Sequence, residues 1–302
     1  MTNIILHIVL SLPLVGAYAL LGMGITVIYQ ASRVLNLAHG AMAMGAAYAC
    51  YQLAKWGMPV PLAVVAGIAT GALLGVVVEL LFVRRLRSAG STTQTVGTVA
   101  ALTFAIAICA RVWGSLPVTP PRVLPSGALR FAGGFVPWAQ FGIFPIAIVG
   151  AGAVFMLFQF TDIGLAMRGA AQNRRGASLR GVDPDRTARL AWIIGGALAG
   201  LAGILLSGAT ELDPYSVSLG VLPAFVAALI GGLESMPGVC LGAVIVGLVQ
   251  GMVPTLSAIP QVGGLVQQQG SSELIVGLLA LVVMAFRGAR LVMSDVRAEA
   301  LG

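Results

Sequence analysis

The side chains able to do chemistry are few and scattered. Two histidines (His7, His39), three cysteines (Cys50, Cys109, Cys240), one lysine (Lys55) and ten acids serve 302 residues. A metal centre needs His, Cys or carboxylates at ligand spacing, and neither histidine has an acid or cysteine placed to complete one. An odd, dispersed set of cysteines makes no disulfide framework and reads as small core residues. A phosphate-binding loop ends in Gly-Lys-Ser/Thr, whereas Lys55 lies between Ala54 and Trp56, so the chain cannot bind ATP that way. There is no G-x-S-x-G, no H-E-x-x-H and no pair of carboxylates inside an apolar run. Glu79 is the one acid well inside such a run, read as within reach of Arg84 or, by snorkelling, of solvent.

Three stretches still carry a pattern. In Thr161 to Arg186, Met167, Ala170 and Ala171 share one face of a short helix, Asn173 marks a break, and a second turn carries Ala177 and Leu179 up to Gly181, a natural C′ residue. Asp183 then caps a new helix whose first residue is Pro184, and Asp185 sits where the helix dipole favours an anion. With Arg168, Arg174, Arg175 and Arg180, this is an ordered basic segment. It is either a surface that docks a partner or a solvated loop that fixes topology. In Arg33-Val-Leu-Asn36-Leu-Ala-His39-Gly40, Asn36 and His39 fall at i and i+3. Polar groups at membrane depth tend to face a bundle interior or a water-filled path. His39 is therefore a pathway or gating residue, or a histidine hydrogen-bonded at an interface. In Gly231 to Gly242, glycines at 231, 232 and 238 permit a tight turn, and Gly238 and Gly242 let helices approach closely, as do Gly196, Gly200 and Gly203.

The elements that must position these residues are membrane helices. Apolar residues make up 58% of the chain and charged ones 9%, against roughly a quarter charged in a soluble domain; the mean hydropathy is +0.98. A soluble enzyme, a disordered chain and a nucleic-acid binder are excluded. The basic balance, +7 net, is instead a topology signal. Nine runs approach the ~20 apolar residues that a bilayer requires: 4–30, 36–54, 59–83, 93–113, 141–161, 189–209, 217–233, 237–256 and 270–287. The second and seventh are short and glycine-rich and are expected to be broken or re-entrant. No alternation over ~10-residue stretches suggests a β-barrel. The fold class is an all-α polytopic integral membrane protein of eight or nine helices, a single domain over 1–302. No basic n-region precedes the first apolar run, so no cleavable signal peptide is expected. With the C-terminus inside, thirteen basic residues fall on the inner side: Arg33, Arg84, Arg85, Arg87, Arg168, Arg174, Arg175, Arg180, Arg186, Arg189, Arg287, Arg290 and Arg297. Four fall outside: Lys55, Arg111, Arg122 and Arg130. This places the N-terminus outside. Prolines 117, 120, 121, 125 and 137 forbid a continuous helix across the outer connection 114–140.

Together the stretches resemble the permease subunits of branched-chain amino acid ABC importers, the LivH-type member of the pair. The resemblance covers nearly the whole chain. Gly16-Ala-Tyr18 through Tyr29, followed by Arg33-Val-Leu-Asn36-Leu-Ala-His39-Gly40, is similar to the family's opening signature. The segment from Arg168 to Asp183 is similar to its coupling loop, Ala197 to Gly203 follows, and Gly231-Gly…Ser235…Pro237-Gly238 is similar to its later glycine-rich turn. Two departures stand out: Glu234, where a small residue is common, and Phe286-Arg287-Gly288-Ala289-Arg290-Leu291 in place of an Arg-Pro-x-Gly-Leu-like ending.

The resemblance implies a non-catalytic permease, without cofactor or metal, in a bacterial inner membrane. It implies a second permease subunit, two cytoplasmic ATP-binding subunits and an extracytoplasmic solute-binding protein as partners, besides lipid, and no nucleic acid. Arg168, Ala171, Asn173, Ala177, Leu179, Gly181 and Asp183 would then couple to the ATPases, and Asn36, His39 and Gly40 would face the path. Arg122 and Arg130 would dock acidic residues of the binding protein, or serve topology alone. A stand-alone secondary carrier or channel is the alternative. It would need a coupling-ion site near the midplane, and no intramembrane acid is evident there.

Overall fold

A computed structural model describes residues 2–86, 89–125, 127–131, 134–209, 211–258, 264, 268 and 270–285. Arg87, Arg287, Arg290, Arg297 and the 286–291 ending lie outside the described residues. Among the described residues, twelve α-helices follow one another: α1 Thr2–Ser32, α2 His39–Lys55, α3 Val60–Val78, α4 Gly90–Trp113, α5 Trp138–Phe160, α6 Asp162–Gln172, α7 Arg174–Leu179, α8 Pro184–Ala209, α9 Pro214–Leu219, α10 Val221–Gly231, α11 Met236–Met252 and α12 Ser271–Ala285. Among the described residues seven stretches are long and apolar enough to cross a membrane, with α9 and α10 counted as one; α2 and α12 are shorter.

Glycine contacts fix the direction of each helix. Gly16 meets Phe144 and Ala147, and Gly150 meets Leu20, so α1 and α5 run parallel. Gly22 meets Val239, Gly247 meets Val15 and Gly251 meets Ser11, so α11 runs against α1. Gly67, Gly71 and Gly75 meet Ile204, Gly196 and Trp192 in turn, so α8 runs against α3. One face therefore carries the ends of α1, α3 and α5, the α6–α7 loop, the start of α8 and the α10–α11 turn. The opposite face carries the start of α1 and the 114–137 connection. All described basic residues expected on the inner side lie on the first face, and Lys55, Arg111, Arg122 and Arg130 lie on the other.

The core sits where α1 and α8 cross, at Gly24 against Gly195. α8 is the most buried of the spans. The packing is reciprocal: α1 lies on α11 as α8 lies on α3, while α2 covers α3 and α10 covers α11. Lipid offers no hydrophobic drive between helices, so close backbone approach through small residues holds them together. The glycines at 196, 200, 203, 238 and 242 all make such contacts. The cysteines are free; Cys50 and Cys109 are buried. The proline-rich connection, which shows no strand pattern in sequence, carries a hairpin, β1 Ala128–Phe131 against β2 Gly134–Pro137. Val118 also bridges to Leu212, tying this connection to the end of α8.

Candidate functional site

The α6–α7 loop is built by local caps. The Thr161 hydroxyl accepts from Gly164 N at 3.3 Å and starts α6; Asn173 Oδ1 accepts from Gly176 N at 2.8 Å, breaking α6 and starting α7. Gly181 takes φ +80°, which ends α7. Asp183 Oδ1 accepts from Asp185 N at 2.9 Å and Arg186 N at 3.3 Å and opens α8 at Pro184. An Arg174–Asp185 ion pair staples α7 to the α8 start. Met167 and Ala170 seat α6 on the bundle; Ala171 and Ala177 are half-buried, and Arg168 reaches Gln159 at 3.3 Å. α7 has no buried residue, and Leu179 is 84% exposed.

Asn36, His39 and Gly40 sit at a second locus, where interrupted helices meet. Arg33 adopts left-handed backbone (φ 58°) and ends α1. Residues 33–38 then descend without helix, and His39 packs against Gly24, eight residues before Ser32, or about 12 Å along α1 at the ~1.5 Å rise of a helix. Irregular backbone at such depth is tolerated only inside protein. Here Thr98 of α4 supplies the missing partner. Its hydroxyl accepts from Leu37 N at 3.1 Å, and its proton is shared between the Thr95 (2.7 Å) and Leu35 (3.3 Å) carbonyls. Asn36 and His39 are fully buried; the Asn36 amide lies 3.8 Å from Met42 Sδ, and the Leu21 backbone faces the imidazole. Gly40 meets the Ser218 backbone. Ser218 belongs to α9, just before the helix breaks at Gly220, and its hydroxyl donates to the Pro214 carbonyl at 2.6 Å. The seventh apolar run is divided only by a one-residue turn at Gly220, whose backbone stays right-handed, whereas α2 starts deep within the bundle.

The Arg33 and Gly231 stretches also meet. Arg33 pairs with Glu234, and Gln30 Nε2 donates to the Glu234 carbonyl at 2.8 Å. Glu234, the unexpected residue of the glycine-rich turn, anchors the end of α1. On the opposite face, a cavity of about 380 Å³ opens between the proline-rich connection and the ends of α5 and α8, and Arg122 lines it. Arg130 lies on β1, exposed. A second cleft, about 400 Å³ between α1, α5 and α11, is lined by apolar side chains alone.

Residues 7–286 match the family model described as the permease component of branched-chain amino acid transport systems. The chain belongs to this family. Its relatives include a LivH-named branched-chain amino acid transport permease of Methanocaldococcus jannaschii, 28% identical over 78% of this chain and 76% of that protein. LivH of Escherichia coli K12 is 26% identical over 78% and 82% of the two chains. BraD of Pseudomonas aeruginosa is 26% identical over 81% and 84%. Both are named as permease proteins of high-affinity branched-chain amino acid transport systems. No solved structure matches the chain.

In this permease, three participants escape sequence reasoning: Thr98, Ser218 and the partner of Glu79. The polar run Ser91-Thr-Thr-Gln-Thr-Val-Gly-Thr98 inside a span was the available signal for the first. Glu79 does not reach solvent as expected. It is 1% exposed, it opens a π-helical turn Glu79–Val83 continuing α3, and Arg189 Nε of α8 lies 3.9 Å from its carboxylate. Removing Arg189 leaves that charge without this partner. The Arg189→Ala variant is expected to lose about 1 kcal/mol, below what breaking a tight buried pair costs, since the two groups stand 3.9 Å apart and Arg189 is partly solvated. Thermal unfolding in detergent checks this, and Glu79→Gln/Arg189→Ala should recover most of the loss. Equal melting of wild type and Arg189→Ala would remove the pair from the account.

Proposed function

We propose that this permease is one half of the translocation path of an ATP-driven importer for branched-chain or related amino acids. The observation that carries the reading is the α6–α7 loop: a capped, rigid projection whose terminal helix buries nothing in its own chain and ends on the exposed Leu179. Local caps hold the projection in one shape, and its exposed apolar tip gives a partner's groove something to grip. The ATP-binding subunits are that partner. Arg168, Ala171, Asn173, Ala177, Leu179, Gly181 and Asp183 form the coupling surface, two ATPases and a second permease complete the core, and hydrolysis belongs to the partners. The loop face is cytoplasmic, in the inner membrane, and residues 1–302 act as one permease domain with the C-terminus on the same side. Positive charge concentrated on the loop face supports that orientation.

On the far face Arg130 and its hairpin dock an acidic patch of an extracytoplasmic binding protein, which presents the solute. Asn36, His39 and Gly40 lie where the start of α2 meets the α9–α10 break. Discontinuous helices are where transporters build and gate their midplane passages. These residues therefore face or gate the path as the two helices part.

Mild-detergent purification of the tagged chain from its own host tests the reading, with mass spectrometry and an ATPase assay on the eluate. Two ATP-binding subunits and a second permease are expected, with ATP hydrolysis. A chain that elutes alone and inactive in several detergents would overturn it in favour of a stand-alone carrier.

A further inference from the structure

The cavity on the hairpin face has walls of two kinds. Residues 119–125, with Gly127 and Pro137, form one, and four of them are prolines. A proline has no N–H, so this backbone offers carbonyl acceptors with few donors, and among the described residues 119–125 make no backbone hydrogen bond apart from any within regular elements. The cation on this wall is Arg122. The other wall is aliphatic: Ile143 of α5 and Ile204 and Leu205 of α8. Gly208 lines the cavity with nothing within 4 Å of where a Cβ would stand. The volume, about 380 Å³, is within the range of small-molecule sites.

We infer that this cavity is a receiving site for a zwitterionic aliphatic amino acid, occupied as the solute leaves the binding protein and before it enters the path. The inference rests on the function proposed above and gives Arg122 to the solute, leaving the hairpin with Arg130 to the protein contact. The guanidinium takes the carboxylate, the proline-rich carbonyls take the ammonium, and the wall of α5 and α8 takes the side chain. Each part of the ligand meets the chemistry that recognises it. The apolar cleft beside α11 offers nothing to either charge.

The test uses the complete importer in liposomes, with leucine-loaded binding protein outside and ATP inside. Leucine taken up per ATP hydrolysed is measured, together with the binding-protein concentration that half-saturates ATP hydrolysis. Arg122→Ala and Gly208→Leu are each expected to lower uptake per ATP at least about tenfold, with half-saturation unchanged and Arg122→Lys intermediate. Arg122 is exposed, so its variants keep the fold even if Gly208→Leu does not. Wild-type uptake per ATP in Arg122→Ala would overturn the inference. So would a rise in the half-saturating concentration alone, which would return Arg122 to docking. A wild-type complex that hydrolyses ATP but takes up no leucine would overturn the functional reading itself.

Discussion

Gly196→Leu is expected to leave no monodisperse permease in detergent. A Cβ at 196 would fall 3.0 Å from the Gly71 carbonyl carbon and 3.1 Å from Ala72 Cα, and nearer still to the Gly71 oxygen. These are backbone atoms of a helix and cannot rotate away as a side-chain tip can. The only relief is to part α3 from α8. That parting would also strip Gly75 from Trp192 and Gly200 from Ile68, and it would draw Arg189 from Glu79. Overpacking absorbed by side chains costs about 1–3 kcal/mol; one that forces two core helices apart should exceed it. Size-exclusion chromatography and thermal unfolding read the result. Gly196→Ala should be intermediate. Gly277→Leu on α12, where a Cβ meets nothing within 4 Å, should match wild type. Retention of a wild-type elution peak by Gly196→Leu would show that the α3–α8 contact is not what holds the bundle.

The second large effect belongs to Leu179. Leu179→Asp is expected to abolish most solute-stimulated ATP hydrolysis while the permease inserts and melts as before. The side chain is 84% exposed, so its loss should cost the fold within about 0.5 kcal/mol. Placed at a docking surface, an apolar anchor is worth on the order of 2 kcal/mol, or roughly 30-fold in apparent affinity for the ATP-binding subunits. Ala171→Arg and Ala177→Arg should act the same way, since both alanines are half-buried beside the exposed face. Co-purification at graded subunit concentrations separates weakened docking from lost coupling. Full stimulation in all three variants would reassign the loop to topology alone.

Much of what near neighbours set was legible in the sequence, although the 128–137 hairpin and the π-turn at Glu79 were not. A cap joins residues two or three apart, so Asn173, Gly181 and Asp183 announced the α6–α7–α8 breaks, and the structure places them there. Insertion depends on the summed hydropathy of a run, so the apolar segments, and the grouping of the described basic loops on one face, could be read before any contact was known. Even the two doubtful runs, 36–54 and 217–233, carried their irregularity in their length and glycine content.

What depends on residues far apart in the chain was not legible. Thr98 lies more than sixty positions from the backbone it satisfies, and nothing at 98 alone distinguishes it from any other threonine in a span. Glu79 reads in sequence as within reach of Arg84 or solvent; the α8 crossing, more than a hundred residues on, buries it and brings Arg189 to its carboxylate. The glycine faces told that helices would approach closely but not which ones. Arg122 and Arg130 look alike in sequence. Only the folding of the proline-rich connection over α8 puts one on a cavity and leaves the other on an exposed strand. Local hydrogen bonding and transfer free energy are properties of short stretches, while partner choice between helices is a property of the packed whole.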